Sequence, residues 1–189
     1  MKKIVIVIIF LLLFLGGNNY QELNSLAIIT NIAIEKSDKN YKVTFQEVIP
    51  TKEESKIAKD YKYYTNTSNT LESAFYNLSE DITKEIYLEH LENIVIKDDD
   101  LKIIYDLDNF LKSDLDNFNI ILSETDPKKV LEYSNNYKYV NNLIEDNITL
   151  RSIKKAELEH KEIKLPIVKI SNDRLIFYKY KMIGDDKNA

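Results

Sequence analysis

The chain has 189 residues, of which 44% are hydrophobic and 30% are charged. This balance is typical of a folded domain and argues against intrinsic disorder. The formal net charge of −5 disfavours binding to nucleic acid or to anionic headgroups, because an acidic surface repels phosphates. Cysteine is absent, which excludes disulfides, thiolate metal ligands and cysteine nucleophiles.

Residues 1–17 have the pattern of a secretory signal. Two lysines precede an apolar run over residues 4–15, and Gly16-Gly17 closes it. As a helix this run is roughly 18 Å long, shorter than the roughly 30 Å hydrocarbon core of a membrane. A cleavable or lipoprotein-type signal is therefore favoured over a spanning anchor. We predict export, with residues 18–189 forming one domain outside the cytoplasmic membrane.

The pattern after this segment predicts an α+β domain, in which helices pack against a mixed β-sheet. Apolar, β-branched or alternating segments predict strands over residues 26–35, 41–48, 61–65, 92–97, 119–123, 167–170 and 175–182. Apolar residues at helical spacing predict helices over residues 71–82, 101–111, 127–131 and 147–160. Residues 51–60 are charged and non-periodic, and we predict a loop there.

Three finer predictions concern the ends, the faces and the turns of these elements. Asn69 lies three residues before Glu72, which predicts a capping box at the start of the first helix. Residues 41–48 alternate, which places Tyr41, Val43 and Phe45 on one face of the strand and Lys42, Thr44 and Gln46 on the other. Turn residues at 37–40 and 171–173 predict two hairpins.

The residue types that carry catalysis are few. No glycine lies between residues 18 and 183, which excludes a glycine-rich phosphate loop there. His90 precedes a strand, and we interpret it as a structural residue that hydrogen-bonds to the backbone. His160 follows Glu157 at the i, i+3 spacing found in carboxylate-bridged metal sites. The second such pair is missing, so a solvated helix face is favoured.

Two further groups of residues have simple interpretations. Asp98-Asp99-Asp100 lacks the alternating ligands and the glycine of a calcium loop, and helix capping is favoured. The second group consists of tyrosines, which could line a recognition surface. Alternation along half-buried strands is the favoured interpretation of Tyr61, Tyr63, Tyr64, Tyr178 and Tyr180. We therefore expect no enzyme activity, no cofactor, and no catalytic, cofactor-binding or metal-binding residues.

Several segments follow one another in a recognisable order. They are residues 22–24, 26–30, 34–36, 41–46 with Pro50, 70–74 with 77–79, and 86–91 before 94–96. In this order they resemble the N-terminal domain of the Ger(x)C (GerAC-like) family of spore germination proteins, the C subunits of nutrient germinant receptors. The resemblance covers most of residues 18–97 and extends more loosely through Pro166 and Ile167.

The resemblance implies a non-enzymatic, exported subunit on the outer face of the spore inner membrane. Its implied partners are the polytopic A and B receptor subunits, and its implied mechanism is protein–protein contact at the membrane. Family members carry a lipid on a Cys, but Gly17 stands at that position, so no lipidation is expected. The chain ends where the family's C-terminal domain would begin, so that domain is expected to be absent.

Two other hypotheses belong to different classes. An exported solute-binding or scaffolding protein, or a truncated remnant of the family, would keep the domain without the receptor role. An extracytoplasmic hydrolase that uses His90 would need an acid and a nucleophile near that residue in the fold.

Overall fold

A mixed β-sheet with helices on both faces forms the domain, so the predicted α+β class is confirmed. The structure is a computed structural model that describes residues 25–37, 39–53, 56–98, 101–110, 118–133 and 148–184. The predicted signal segment, Gly17, Asp99 and Asp100 lie outside the described residues.

The sheet contains eight described strands. In chain order they are β1 (Leu26–Ser37), β2 (Asn40–Glu53), β3 (Lys56–Ser68), β4 (Glu85–Tyr87), β5 (Asn93–Lys97), β6 (Asn119–Ser123), β7 (Ile163–Ser171) and β8 (Arg174–Ile183). They pair in the order β3-β2-β1-β5-β6-β7-β8, and β4 pairs with the start of β1. The central strands β1, β5, β6 and β7 are parallel, and antiparallel hairpins extend the sheet on both sides.

Four described helices cover the sheet unequally. They are α1 (Leu71–Asp81), α2 (Lys102–Phe110), α3 (Pro127–Glu132) and α4 (Leu150–Leu158). Residues of α1, α2 and α4 pack into the main core on one face of the sheet, whereas α3 packs into a smaller core on the other. Within the described ranges, no helix is long and apolar enough to cross a membrane.

Both faces of the central strands are buried. On β5, Ile94 and Ile96 belong to the main core, while Val95 between them belongs to the smaller core. This explains why β5 and β6 are almost continuously apolar. The polar face of β2 is covered in the same way, because Thr44 and Gln46 are buried as well.

The predicted loop over residues 51–60 is wrong. Strand β2 continues to Glu53 and β3 begins at Lys56, with pairing between them out to the Glu53–Lys56 pair. Strand β1 pairs with β2 only as far as Ile29, opposite Glu47. Beyond that point no other described strand pairs with the hairpin, and its backbone hydrogen bonds form without the apolar alternation that a sheet face requires.

Helix α1 begins at Leu71 as predicted, but its N-cap lies one residue after the predicted one. Thr70 is the N-cap, and its hydroxyl oxygen accepts a hydrogen bond from the Ser73 N–H at 3.1 Å. This satisfies one of the backbone donors that a helix start leaves unpaired. The predicted capping box of Asn69 and Glu72 is therefore wrong, although the helix itself is confirmed.

The β7–β8 turn confirms the second predicted hairpin. Asn172 and Asp173 have φ angles of 50° and 54°. Positive φ at both central residues is typical of a two-residue type I′ turn, whose twist matches that of the flanking strands. Asn and Asp tolerate this conformation better than most residues, so the turn forms without glycine.

Glu47 is a buried carboxylate with two polar partners. Its side chain accepts hydrogen bonds from the Lys84 ammonium at 2.7 Å and from the Tyr64 hydroxyl at 2.8 Å. Glu47 is 1% exposed, and a buried charge is strongly destabilising unless it is paired. Lys84 lies between α1 and β4, so this ion pair ties the α1–β4 connection to the sheet.

Replacing Lys84→Met is expected to lower the free energy of unfolding by about 2 kcal/mol, since it leaves the Glu47 carboxylate buried without its ammonium. Urea unfolding followed by circular dichroism measures this change. Lys102→Met, at an exposed position on α2, is the control. Adding Glu47→Gln to Lys84→Met is expected to recover part of the loss. Equal stability of the Lys84 and Lys102 variants would contradict this role for the ion pair.

Candidate functional site

A row of polar side chains crosses the sheet on the α3 face. Asn119 on β6, Asn93 on β5, Asn31 on β1, Gln46 on β2 and Tyr63 on β3 occupy successive paired positions. Each of the four amide groups donates to the next residue of the row, at 3.3, 2.9, 2.6 and 3.0 Å in that order. We call these five residues the amide row.

The amide row ends on helix α3. The Gln46 amide and the Tyr63 hydroxyl both donate to the Leu131 carbonyl oxygen, at 3.1 and 3.3 Å. Leu131 lies in the last turn of α3, and its carbonyl oxygen also accepts from the backbone N–H of Tyr133 at the helix end. Burial raises the pKa of the Tyr63 phenol, so the hydroxyl keeps the proton that it donates. The row therefore fixes α3 against the sheet.

Burial makes this row sensitive to substitution. Asn93 and Gln46 are fully buried, and Asn31 is 3% exposed. A buried amide without a partner is destabilising by about 1–3 kcal/mol, whereas a complete network specifies one arrangement of its strands. The row thus sets the register of five strands as well as the position of α3.

Replacing Gln46→Met is expected to reduce the free energy of unfolding by about 3 kcal/mol, because it removes the shorter of two hydrogen bonds from the Asn31 amide and leaves Leu131 with one donor fewer. Tyr63→Phe, at the end of the row, is expected to reduce it by about 1 kcal/mol. Urea titrations of both variants measure the difference. Equal and small effects would show that the row does not act as a connected network.

A groove of about 360 Å³ opens between α2, α4 and the open end of the β7–β8 hairpin. Polar and apolar residues share its lining. The polar residues are Tyr105, Glu157, His160 and Lys161, and the others are Ile153, Ala156, Ile163, Ile183 and Gly184. Of the residues singled out from the sequence, Glu157 and His160 both line this groove, and His90 does not.

His160 lies beyond the end of α4 rather than on a helical face. Its φ angle is 53°, and its N–H donates to the Glu157 carbonyl at 3.1 Å. The Lys161 N–H donates to the Ala156 carbonyl at 2.8 Å, which completes a Schellman motif with His160 in the left-handed position. The predicted i, i+3 pair of Glu157 and His160 on one helix is therefore wrong.

The polar residues of the groove interact with one another and with their neighbours. Glu157 hydrogen-bonds to Tyr105 and raises the pKa of its phenol, and burial adds to the effect. The Lys161 ammonium lies 2.7 Å from a carboxylate oxygen of Glu159. These groups offer hydrogen bonds and ion pairs, which suit binding. Among the described residues, no cluster of three or more His, Asp or Glu side chains is arranged to hold a metal ion.

The other residues singled out from the sequence lie apart from the groove. His90 is exposed, and its ring packs edge-on against Tyr87 with the centroids 5.6 Å apart. Ring packing thus replaces the predicted backbone hydrogen bond of His90. The Asp98 carboxylate lies 3.5 Å from the Lys181 ammonium, so it forms an ion pair with β8.

The tyrosines follow two different patterns. On β3, Tyr63 hydrogen-bonds to Gln46 and Tyr64 to Glu47, so neighbouring tyrosines serve opposite faces and the predicted alternation is confirmed. Burial raises the pKa of the half-buried Tyr61, with a smaller effect from the charge of Glu92. On β8, however, the tyrosines at positions 178 and 180 are each 41% exposed.

Comparisons with known proteins agree with the resemblance seen in the sequence. A family model described as spore germination protein N-terminal domain matches residues 19–160, which confirms the likeness to the Ger(x)C family. A crystal structure of the GerBC protein is similar with a TM-score of 0.44 and 13% identity, over 83% of this chain and 49% of that chain. The chain thus spans about half the length of that structure. No curated protein sequence matches significantly.

Proposed function

The chain belongs to the family of spore germination protein N-terminal domains, and we propose on that premise that it is a non-enzymatic subunit of a nutrient germinant receptor. It acts by protein–protein contact at the outer face of the spore inner membrane. Its partners are the polytopic A and B subunits. The observation that carries the proposal is the family match over residues 19–160.

The chemistry of the described residues supports a role in contact. The largest polar network, the amide row, is buried and holds secondary structure in place. The polar groups of the groove are engaged in hydrogen bonds and ion pairs near the surface. A rigid sheet with an externally accessible polar surface suits a subunit that transmits a signal by docking.

Export and membrane attachment belong to the same proposal. Residues 1–17 direct export, and the mature domain faces away from the cytoplasm. Gly17 cannot accept a lipid, so contact with the membrane subunits holds the protein at the membrane.

The groove favours one alternative, an exported solute-binding protein. Its volume of about 360 Å³ falls at the lower end of the roughly 300–1,000 Å³ typical of small-ligand pockets. A solute with a positive and a negative group would compete with the Tyr105–Glu157 and Lys161–Glu159 contacts. Because those contacts must be given up, receptor contact remains the preferred function.

The proposal predicts that the protein is retained at the spore inner membrane only when its A and B partners are present. Immunoblots of purified inner membranes from the parent strain and from a strain lacking the adjacent A and B genes measure this. An unrelated exported membrane protein serves as the loading control. Retention that is indifferent to the A and B subunits would contradict the proposal and favour the solute-binding or remnant alternative.

A further inference from the structure

The β7–β8 hairpin is strongly basic in an acidic chain. Residues 163–183 contain one acidic side chain and five basic ones, which are Lys164, Lys169, Arg174, Lys179 and Lys181. The hairpin therefore carries a formal charge of +4, while the whole chain carries −5. It follows the segment that matches the family model, which ends at residue 160.

Strand β8 forms one edge of the described sheet and presents large side chains to solvent. Its strand neighbour in the described part of the chain is β7. Tyr180 and Met182 are 41% and 47% exposed and, two residues apart, lie on one face of the strand. Lys179 and Lys181 lie on the other face. The Phe177 ring packs against Tyr180 with a centroid distance of 4.8 Å.

A change of register divides β8 into two parts. Val168 pairs with Phe177 but Ile167 pairs with Lys179, so Tyr178 is an extra residue at a bulge. The bulge places the Tyr178 ring under two ammonium groups, with Lys169 at 3.7 Å and Lys179 at 4.9 Å from its centroid. These cation–π contacts hold positive charge at the edge. From residue 179 to residue 183 the pairing is regular.

We propose that β8 docks an extended, acidic segment of a partner protein, which adds to the sheet as a further strand along residues 179–183. The inference rests on the proposed function, since it names the surface through which partner contact occurs. Backbone pairing supplies affinity in this mode of recognition, and alternate side chains supply specificity. Lys181 is already paired with Asp98, so an acidic side chain of the segment would meet Lys179, and apolar ones would cover Tyr180 and Met182.

Charge and strand geometry disfavour other occupants. Pairing between the β8 edges of two copies would bring two hairpins of charge +4 together, and like charges across strands are destabilising. Insertion into a bilayer would leave the edge N–H and C=O groups of β8 without partners in hydrocarbon, which is strongly unfavourable. An acidic strand neutralises Lys179 and pairs the backbone of β8 at the same time.

The test uses the full chain in neutral detergent and two blocked eight-residue peptides, one alternating Val and Glu and the other alternating Val and Lys. Nuclear magnetic resonance measures peptide binding and amide hydrogen exchange. The Val–Glu peptide is expected to bind and to slow exchange of amides within residues 179–183 by about tenfold or more. The Val–Lys peptide is expected not to bind.

Charge variants distinguish a local effect of Lys179 on peptide binding from an effect of the overall charge of the chain. Lys179→Glu is expected to weaken binding of the Val–Glu peptide by about tenfold, and Lys179→Gln by about threefold. Lys39→Glu makes the same charge change in the β1–β2 turn and is expected to leave binding unchanged. The Gln variant keeps the test informative if the Glu variant does not fold.

Several results would overturn the inference. These are equal binding of both peptides, no protection within residues 179–183, and equal effects of the two Glu variants. Dimers that depend on Lys179 would identify a second copy as the occupant, and Lys179-dependent binding to phosphatidylglycerol vesicles would identify a membrane. Each of these results could occur even if the protein is lost from membranes that lack the A and B subunits. The peptide test can therefore fail while the immunoblot test of the proposed function succeeds.

Discussion

The amide row is the interaction on which the arrangement of the sheet depends most. Five strands contribute to it, each of its amides is paired, and three of its four amides are buried. A one-residue slip of any of these strands would move its polar side chain to the main core, where it would find no partner. The row therefore selects one register from several that the apolar residues alone would permit.

The row also explains the unequal coverage of the two faces. Three helices fill the main core with apolar side chains, but α3 has only six residues and buries little apolar surface. Hydrogen bonds from Gln46 and Tyr63 to the carbonyl of Leu131 hold this short helix in place. A polar network thus holds α3 against one face of the sheet, whereas hydrophobic packing holds the other three helices against the opposite face.

The sequence was sufficient for elements whose own side chains carry the signal. Strands β5 and β6 were predicted almost to the residue, because burial on both faces makes them continuously apolar. The extension of β2 and β3 was missed, because pairing of two backbones requires no apolar pattern. The left-handed backbone of His160 was missed for a similar reason, since this conformation usually signals itself through glycine.

The amide row was also missed, although part of its signal was present. Asn31 and Asn93 each stand in an apolar strand, and buried polar residues need partners. The register that brings them together depends on pairing between distant strands, which one sequence does not specify. The basic hairpin could have been read from charge counting over residues 163–183, but its place at the sheet edge required the topology.

In the proposed function, this chain acts through surfaces that its sheet presents to partners, and the family match supports the proposal that those partners are other spore germination subunits. The most direct test is affinity purification of the tagged chain from detergent-solubilised spore membranes, followed by mass spectrometry of the proteins recovered with it. The account predicts that polytopic germinant receptor subunits are recovered in amounts comparable to the tagged chain. Recovery of the chain alone, or with proteins unrelated to germination, would contradict it.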